Sequence, residues 1–333
     1  MNPIVVLPDE LIDQIKAGEV VERPAAVVKE LVENSLDAGA QSLRIDIVDG
    51  GLGRIRITDD GHGLSRDSLA AALTRHATSK IRSLDDLEAV ASLGFRGEAL
   101  PSIASVSRLL LTSRTVDAPH AWQWRDAITE PAAHPVGTSV EVRDLFYNTP
   151  ARRKFMRSPA VEFRATTQTV HKLVLWRPGL RVDLVHNDRT VLRLDRQSQD
   201  GRIAAVMGAN FLQDSIAVDA YHDGMRLQGR VGLPATARPR ADLQFVHING
   251  RPVRDKVMAA AVRRAYADVM HSQHHPAFAL SLALEPATVD VNVHPQKTEL
   301  RFRDSRAVHD FIFGALHQAL RSVRPDAQQH RLD

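Results

Sequence analysis

No cysteine occurs among the 333 residues, which excludes disulfides, thiolate metal sites and cysteine nucleophiles and fits a reducing compartment. No apolar run approaches the ~20 residues needed to cross a bilayer. The opening MNPIVVLPDELIDQ has no basic leader, and its apolar run stops at Pro8 and Asp9, so no signal peptide is read and a cytoplasmic location is expected. Internal repeats and low-complexity tracts are missing too, and no serine lies in a GxSxG context that would mark a hydrolase nucleophile. The formal net charge is only +3, a weak pull toward polyanions, so where the basic residues cluster matters more than their sum.

What is present is an ordinary globular composition, 44% hydrophobic and 25% charged, with length enough for two cores. The stretch 24–39, PAAVVKELVENSLDAG, reads as one amphipathic helix. Pro24 suits its first turn and Gly39 the left-handed residue past its end. At about 100° per residue, Pro24, Val27, Val28, Leu31, Val32 and Ser35 share an apolar face. Glu30, Asn34 and Asp37 follow one border of that face, while Lys29 and Glu33 fall on the far side. Glu33 reads as a solvated surface charge. Glu30 has two readings: a border acid of the kind amphipathic helices often carry, or a carboxylate placed to meet something in a cleft, one turn from a neutral amide.

Around this helix, residues 9–20 read as a short helix. Leu43, Ile45 and Ile47 alternate with polar residues, as does the run 54–58, giving a hairpin with one buried face. The hairpin ends in Asp59-Asp60-Gly61-His62-Gly63, which alone suits a turn. Residues 65–90 carry a helical pattern interrupted by the polar patch 76–80. Gly94-Phe95-Arg96-Gly97, ahead of Glu98, Ala99 and Leu100, is either an ordinary loop or a set of N–H groups and a cation offered to phosphate. A strand is expected from Gly137, and ARRKFMR at 151–157 is a basic cluster. A second domain is expected from about 205, with strands at 226–232, 243–249, 278–284 and 288–293 and helices at 254–270 and 305–322. The strand, helix, strand order there suggests a right-handed crossover. Residues 323–333 read as a tail or the start of a linker.

NSLDAG after Glu30, then DDGHG, GFRGEAL and Gly137-Thr138, resemble the four ordered nucleotide-binding motifs of the GHKL ATPase superfamily. The longer strings AGEVVERPAAVVKELVENSLDAGA, RHATSKI, LGFRGEAL, DLFYNTPARRKF and VDVNVHPQKTE are similar to the MutL family of DNA mismatch repair proteins, over nearly the whole chain. The resemblance implies an α+β fold: a Bergerat-type ATP-binding sandwich of antiparallel or mixed sheet and helices over 1–204, then a ribosomal-S5-like α/β transducer domain over 205–333. It also implies a C-terminal dimerisation domain outside this sequence.

The same resemblance implies roles for individual residues. Glu30 becomes the general base for the water attacking the γ-phosphate, and Asn34 an oxygen ligand to Mg²⁺. Asp59 accepts from the adenine amino group with Thr138 in support, and Asp37, Gly61 and Gly63 line the nucleotide. Thr78, Ser79 and Lys80, with Gly94, Phe95, Arg96, Gly97, Glu98, Ala99 and Leu100, form the lid around the phosphates. Lys297 reaches the γ-phosphate from the second domain, which couples hydrolysis to closure of the two domains. The expected function is a slow, Mg-dependent ATPase used as a switch, dimerising on ATP and acting with DNA, MutS, a MutH-type endonuclease and a helicase. The alternative is a DNA-binding scaffold in which ATP is mainly a structural ligand.

One departure stands out. Asp60 and His62 occupy positions where the family usually has asparagine and a small or polar residue, and an extra carboxylate there threatens ATP affinity by repulsion. Arg254, Lys256, Arg263 and Arg264 form a basic row that either binds DNA phosphates without reading sequence or is a solvated face. His271, His274 and His275 have metal-like spacing but no carboxylate or fourth ligand near. Trp122 and Trp124 alternate as on a strand and read as packing.

Overall fold

The computed structural model describes residues 18, 20–74, 77, 98–270, 273–290 and 300–322. The chain divides into two compact units between Gln197 and Ser198, seven residues before the expected boundary at 204/205. The reason is local. Ser198 caps the helix Gln199–Met207, its hydroxyl accepting from the Gly201 N–H, so this helix belongs to the second unit rather than to the polar segment before it.

The first unit is built on helix α1 (Pro24–Asp37) and an eight-stranded sheet. Its strands are β1 (Ser42–Val48), β2 (Arg54–Asp59), β3 (Arg108–Arg114), β4 (Ala121–Arg125), β5 (Ile128–Ala132), β6 (Gly137–Arg143), β7 (Arg181–His186) and β8 (Arg189–Leu194), in the order β5-β4-β3-β6-β2-β1-β7-β8. Every neighbouring pair is antiparallel except β1 with β7. Among the described residues the unit also holds helices α2 (Arg66–Ala72), α3 (Ala99–Ser105), α4 (Pro150–Lys154) and α5 (Pro159–Val174). In the segment holding α4, α5, β7 and β8, the sequence marks only the basic cluster.

The alternation in β1 and β2 sends Leu43, Ile45, Ile47, Ile55, Ile57 and Asp59 to one buried face, and α1 packs against β2 and α5. The helix buries Pro24, Val27, Val28, Leu31, Val32 and Ser35, the face its periodicity marks. Pro24 is at the first helical position and Gly39 has φ +75° just beyond the end. Glu33 departs from expectation. It is only 5% exposed, and Lys29 Nζ lies 2.9 Å from its carboxylate.

The second unit holds helix α6 (Gln199–Met207) and a five-stranded sheet of β9 (Ser215–His222), β10 (Met225–Gly232), β11 (Gln244–Ile248), β12 (Arg251–Pro252) and β13 (Phe278–Ala283), in the order β12-β11-β13-β10-β9. Strands β11 and β13 are parallel neighbours, joined through α7 (Lys256–Tyr266) as the expected crossover requires. A short pair, β14 (Val289–Asp290) and β15 (Arg301–Phe302), precedes helix α8 (Ser305–Arg321). Helices α7 and α8 pack together, and Met258, Val262, Tyr266, Ile312 and Leu316 share a core with Leu227, Leu280 and Leu282 of the sheet. The expected strand at 288–293 is described only at its start. The short helix at 9–20 and the tail at 323–333 lie outside the described residues, apart from positions 18 and 20.

Candidate functional site

The site begins with register. Asp59 ends β2 opposite Thr138 of β6, and Thr138 in turn faces Ser113 of β3, so one rung of the sheet carries a carboxylate and two hydroxyls to the same buried face. Ser113 and Thr138 share a hydrogen bond at 2.8 Å, and Ser113 also donates to the Gly137 carbonyl at 2.9 Å. Helix α1 lies across this rung. Its Ser35 hydroxyl donates to Asp59 Oδ2 at 2.7 Å, and the Gly61 N–H donates to Asp59 Oδ1 at 3.0 Å. The backbone N–H of Thr138, across the rung, acts in the same direction on the carboxylate charge.

Asp59 is 7% exposed. Burial raises its pKa above the ordinary 3.8; the donors from Ser35, Gly61 and Thr138 pull it down, and nearby Asp60 adds a smaller upward push. A carboxylate has about four acceptor sites, and the hydrogen bonds from Ser35 and Gly61 leave it able to accept a further N–H. That is what an exocyclic amine offers and a ring carbonyl does not.

The turn after Asp59 is tied to the same helix. The His62 N–H donates to the Ala38 carbonyl at 3.1 Å, while the His62 ring is exposed and bonds the Gly63 carbonyl. The Asp60 carboxylate accepts from the N–H groups of Gln41 and Ser42 at 2.7 and 2.8 Å. The extra charge therefore serves the start of β1, and its effect on Asp59 is the smallest of the five contributions. Gly63 has φ +73°, and a Cβ there would lie 2.1 Å from the Arg114 carbonyl oxygen, so only glycine fits.

Along the helix border, Glu30 and Asn34 stand one turn apart, both partly exposed, with Asp37 beyond them. Lys29 Nζ lies 2.9 Å from Glu30 Oε1 and 2.9 Å from Glu33 Oε2. Burial disfavours the lysine charge, but the Glu30 and Glu33 carboxylates outweigh it and the Lys29 pKa is raised above 10.5. Glu98 is the residue before α3, and Ala99 and Leu100 begin that helix. Thr78, Ser79, Lys80, Gly94, Phe95, Arg96, Gly97 and Lys297 lie outside the described residues. Two contributors escape a reading of the sequence. Ser35 is visible there as a hydroxyl on an apolar helix face, whereas nothing marks Ser113, which depends on strand register alone.

In the second unit Arg254, Lys256, Arg263 and Arg264 are all exposed. Helix α7 starts only at Lys256, after the Asp255 cap, which leaves Arg254 in the loop before it. The Arg264 guanidinium sits 4.6 Å from the centre of the Phe313 ring on α8, so part of its role is packing. Among the described residues no group of three or more His, Asp or Glu is placed to hold a metal ion; His271 lies outside them. Trp122 is partly buried beneath the Arg66 guanidinium.

Residues 22–140 match the family of histidine kinase-, DNA gyrase B-, and HSP90-like ATPases, and residues 203–321 match the DNA mismatch repair protein C-terminal domain. The DNA mismatch repair protein MutL of Pseudomonas fluorescens (strain SBW25) is 53% identical over 335 residues, which cover 98% of this chain and 53% of that protein. The chain thus spans about half the length of the curated relatives it matches. A crystal structure of the N-terminal domain of a DNA repair protein superposes with a TM-score of 0.80 at 25% identity, over 93% of this chain and 98% of the other. The Aquifex aeolicus MutL ATPase domain complexed with ADP gives 0.59 at 28%, over 88% and 98%.

Proposed function

Because the chain belongs to the MutL family of DNA mismatch repair proteins and carries a GHKL ATPase fold in its first unit, we propose that it binds ATP with Mg²⁺ and hydrolyses it slowly as a switch in mismatch repair. The observation that carries this reading is the Asp59 carboxylate, buried, held by hydrogen bonds from Ser35 and Gly61 and left with acceptor capacity beside the border of α1. A buried acceptor of that kind suits adenine and rejects guanine, whose matching position is a carbonyl. Thr138 and Ser113 fix the rung on which it sits.

The described residues fit the rest of the group. Asn34 is a neutral oxygen donor suited to a hard cation that keeps several phosphate and water ligands. Bound Mg²⁺ supplies charge neutralisation on the phosphates. Glu30, one turn away and partly exposed, accepts the proton of the attacking water and orients it. Asp37, Gly61 and Gly63 shape the nucleotide pocket, and Thr78, Ser79, Lys80, Gly94 to Gly97, Glu98, Ala99 and Leu100 close over the phosphates. Lys297 contributes from the second unit, so that nucleotide favours closure and pairing of two chains. The expected partners are DNA, held through its backbone, together with MutS, a MutH-type endonuclease and a helicase. Among the described residues no helix is long and apolar enough to cross a membrane, and the cytoplasm is the compartment proposed.

The decisive experiment is Glu30→Ala. Hydrolysis is expected to fall to background while equilibrium binding of ATP survives. Turnover at the wild-type rate would remove Glu30 from the role of base.

A further inference from the structure

Lys29 points away from the nucleotide border by helical periodicity, yet its ammonium bridges two carboxylates. It lies 2.9 Å from Glu30 Oε1 and 2.9 Å from Glu33 Oε2, with side-chain exposures of 23% for Lys29, 23% for Glu30 and 6% for Glu33. Ordinary helix pairing does not account for this. A lysine N-terminal to a glutamate at i,i+4 is the weaker orientation, and adjacent residues of a helix do not normally face each other. Nor is it a solvated surface pair, since Glu33 is nearly out of water. Glu33 is the more buried of the two carboxylates, at 6% side-chain exposure against 23% for Glu30, so it is the fixed end of the bridge. A lysine ammonium has three N–H groups; one directed at Glu33 sets the position of Nζ, and a second then holds Glu30 Oε1.

The geometry points to Lys29 as a positioning residue for Glu30, anchored by Glu33: the bridge fixes one carboxylate oxygen and leaves Oε2 to take the water. This rests on Glu30 being the general base. Orientation of a reacting group contributes strongly to rate, and a displacement of about 1 Å can cost about a hundredfold. A carboxylate on a flexible side chain at a partly exposed border needs such a restraint. Glu33 contributes without touching substrate.

The test uses this chain with five variants and three readouts: steady-state kcat and KM for ATP, equilibrium affinity for a non-hydrolysable ATP analogue with Mg²⁺, and thermal melting without nucleotide. Lys29→Met is expected to lower kcat about tenfold or more, to leave analogue affinity unchanged, and to lower the melting temperature because the contact between Lys29 and the buried Glu33 is lost. Lys29→Arg restores most of kcat. Lys29→Met with Glu33→Gln removes both charges, recovers the melting temperature and leaves kcat low; it carries the test if the single variant fails to fold. Glu33→Gln alone lowers kcat with affinity intact, since the anchor is lost. The inference is overturned if Lys29→Met turns over at or above the wild-type rate, a higher rate making the lysine a brake. It is overturned equally if analogue affinity falls in step with kcat, or if the double variant regains kcat along with stability. Glu30→Gln separates the two levels. If it is inactive while Lys29→Met is unimpaired, the base stands and the anchor falls; if it hydrolyses normally, the base reading itself fails.

Discussion

A carboxylate proposed to read an amino group has to be taken out of water and still remain an acceptor, and Asp59 shows both halves of that problem. Burial favours its protonated form, and the donors from Ser35, Gly61 and Thr138 oppose it without fully offsetting it, so the native pKa stays above 3.8. The native state therefore binds a proton more readily than the unfolded chain. The stability Asp59 contributes is complete below pH 3.8 and is lost as pH rises through the native value. Asp59→Asn should abolish adenine-nucleotide binding, measured calorimetrically, while urea unfolding shows equal or greater stability at neutral pH and an advantage that shrinks toward the acid side. A variant that melts earlier at pH 7 would contradict this. Ser35→Ala removes the hydroxyl that donates to Asp59 Oδ2 and should weaken nucleotide binding about three- to tenfold, in keeping with ~1 kcal/mol for a hydrogen bond. Gly63→Ala tests the backbone instead. The Cβ would meet the Arg114 carbonyl at a positive φ, and a stability loss of about 1–3 kcal/mol is expected by denaturant unfolding.

At the scale of elements, helix α1 is held at its start as well as along its face. Arg23, its cap residue, donates through two nitrogens to Glu162 Oε2 of α5 at 3.0 and 2.9 Å, and the Arg157 N–H reaches Glu162 Oε1 at 3.1 Å. Glu162 is 2% exposed and Arg23 37%, so Arg23→Ala strands a buried carboxylate. About 2–4 kcal/mol of stability should be lost in a urea titration, somewhat less than for a fully buried pair because the arginine is partly wet. This clamp also shows where the sequence stops being legible. The period of α1, its proline and glycine limits and the alternation of β1 and β2 are local, and they identify the core face residue by residue. Ser35, Asp59, Thr138 and Ser113 meet only because two strand registers bring them together, and Arg23 meets Glu162 across 139 positions. Glu33 is hidden from the sequence for the same reason. Helical periodicity places it opposite the sheet, as a solvated charge, but periodicity carries no information about α5, which packs against α1. The residues of the basic row in the second unit are legible as exposed charges, while the start of α7 at Lys256 is set by the Asp255 cap, which accepts from the Met258 N–H at 2.7 Å.

For the whole molecule, the proposed switch requires that a nucleotide bound to the first unit change the behaviour of the second. A ligand shifts an equilibrium only by its difference in affinity for the two states, so the proposed lysine at 297 matters if it gains a phosphate contact solely in the closed form. Sedimentation with a non-hydrolysable ATP analogue and Mg²⁺ should convert the chain from monomer to dimer, and Lys297→Ala should raise the analogue concentration required. The proposed DNA surface is tested separately by salt. Lys256 and Arg263 are exposed, and seven residues apart on α7 they project from nearly the same side of the helix, which suits contact with successive phosphates. Each phosphate neutralised steepens the fall of log K with log salt by about 0.9 for duplex DNA. Removing either cation should therefore weaken binding to any duplex sequence and make the slope shallower by about that amount. Arg264, engaged with the Phe313 ring, should change the slope less and the melting temperature more. If the slope is unchanged in Lys256→Ala and Arg263→Ala alike, this face is solvated and DNA binds elsewhere. If DNA affinity is also the same with and without the ATP analogue, nucleotide acts on the two units without reaching DNA, and the scaffold reading displaces the switch.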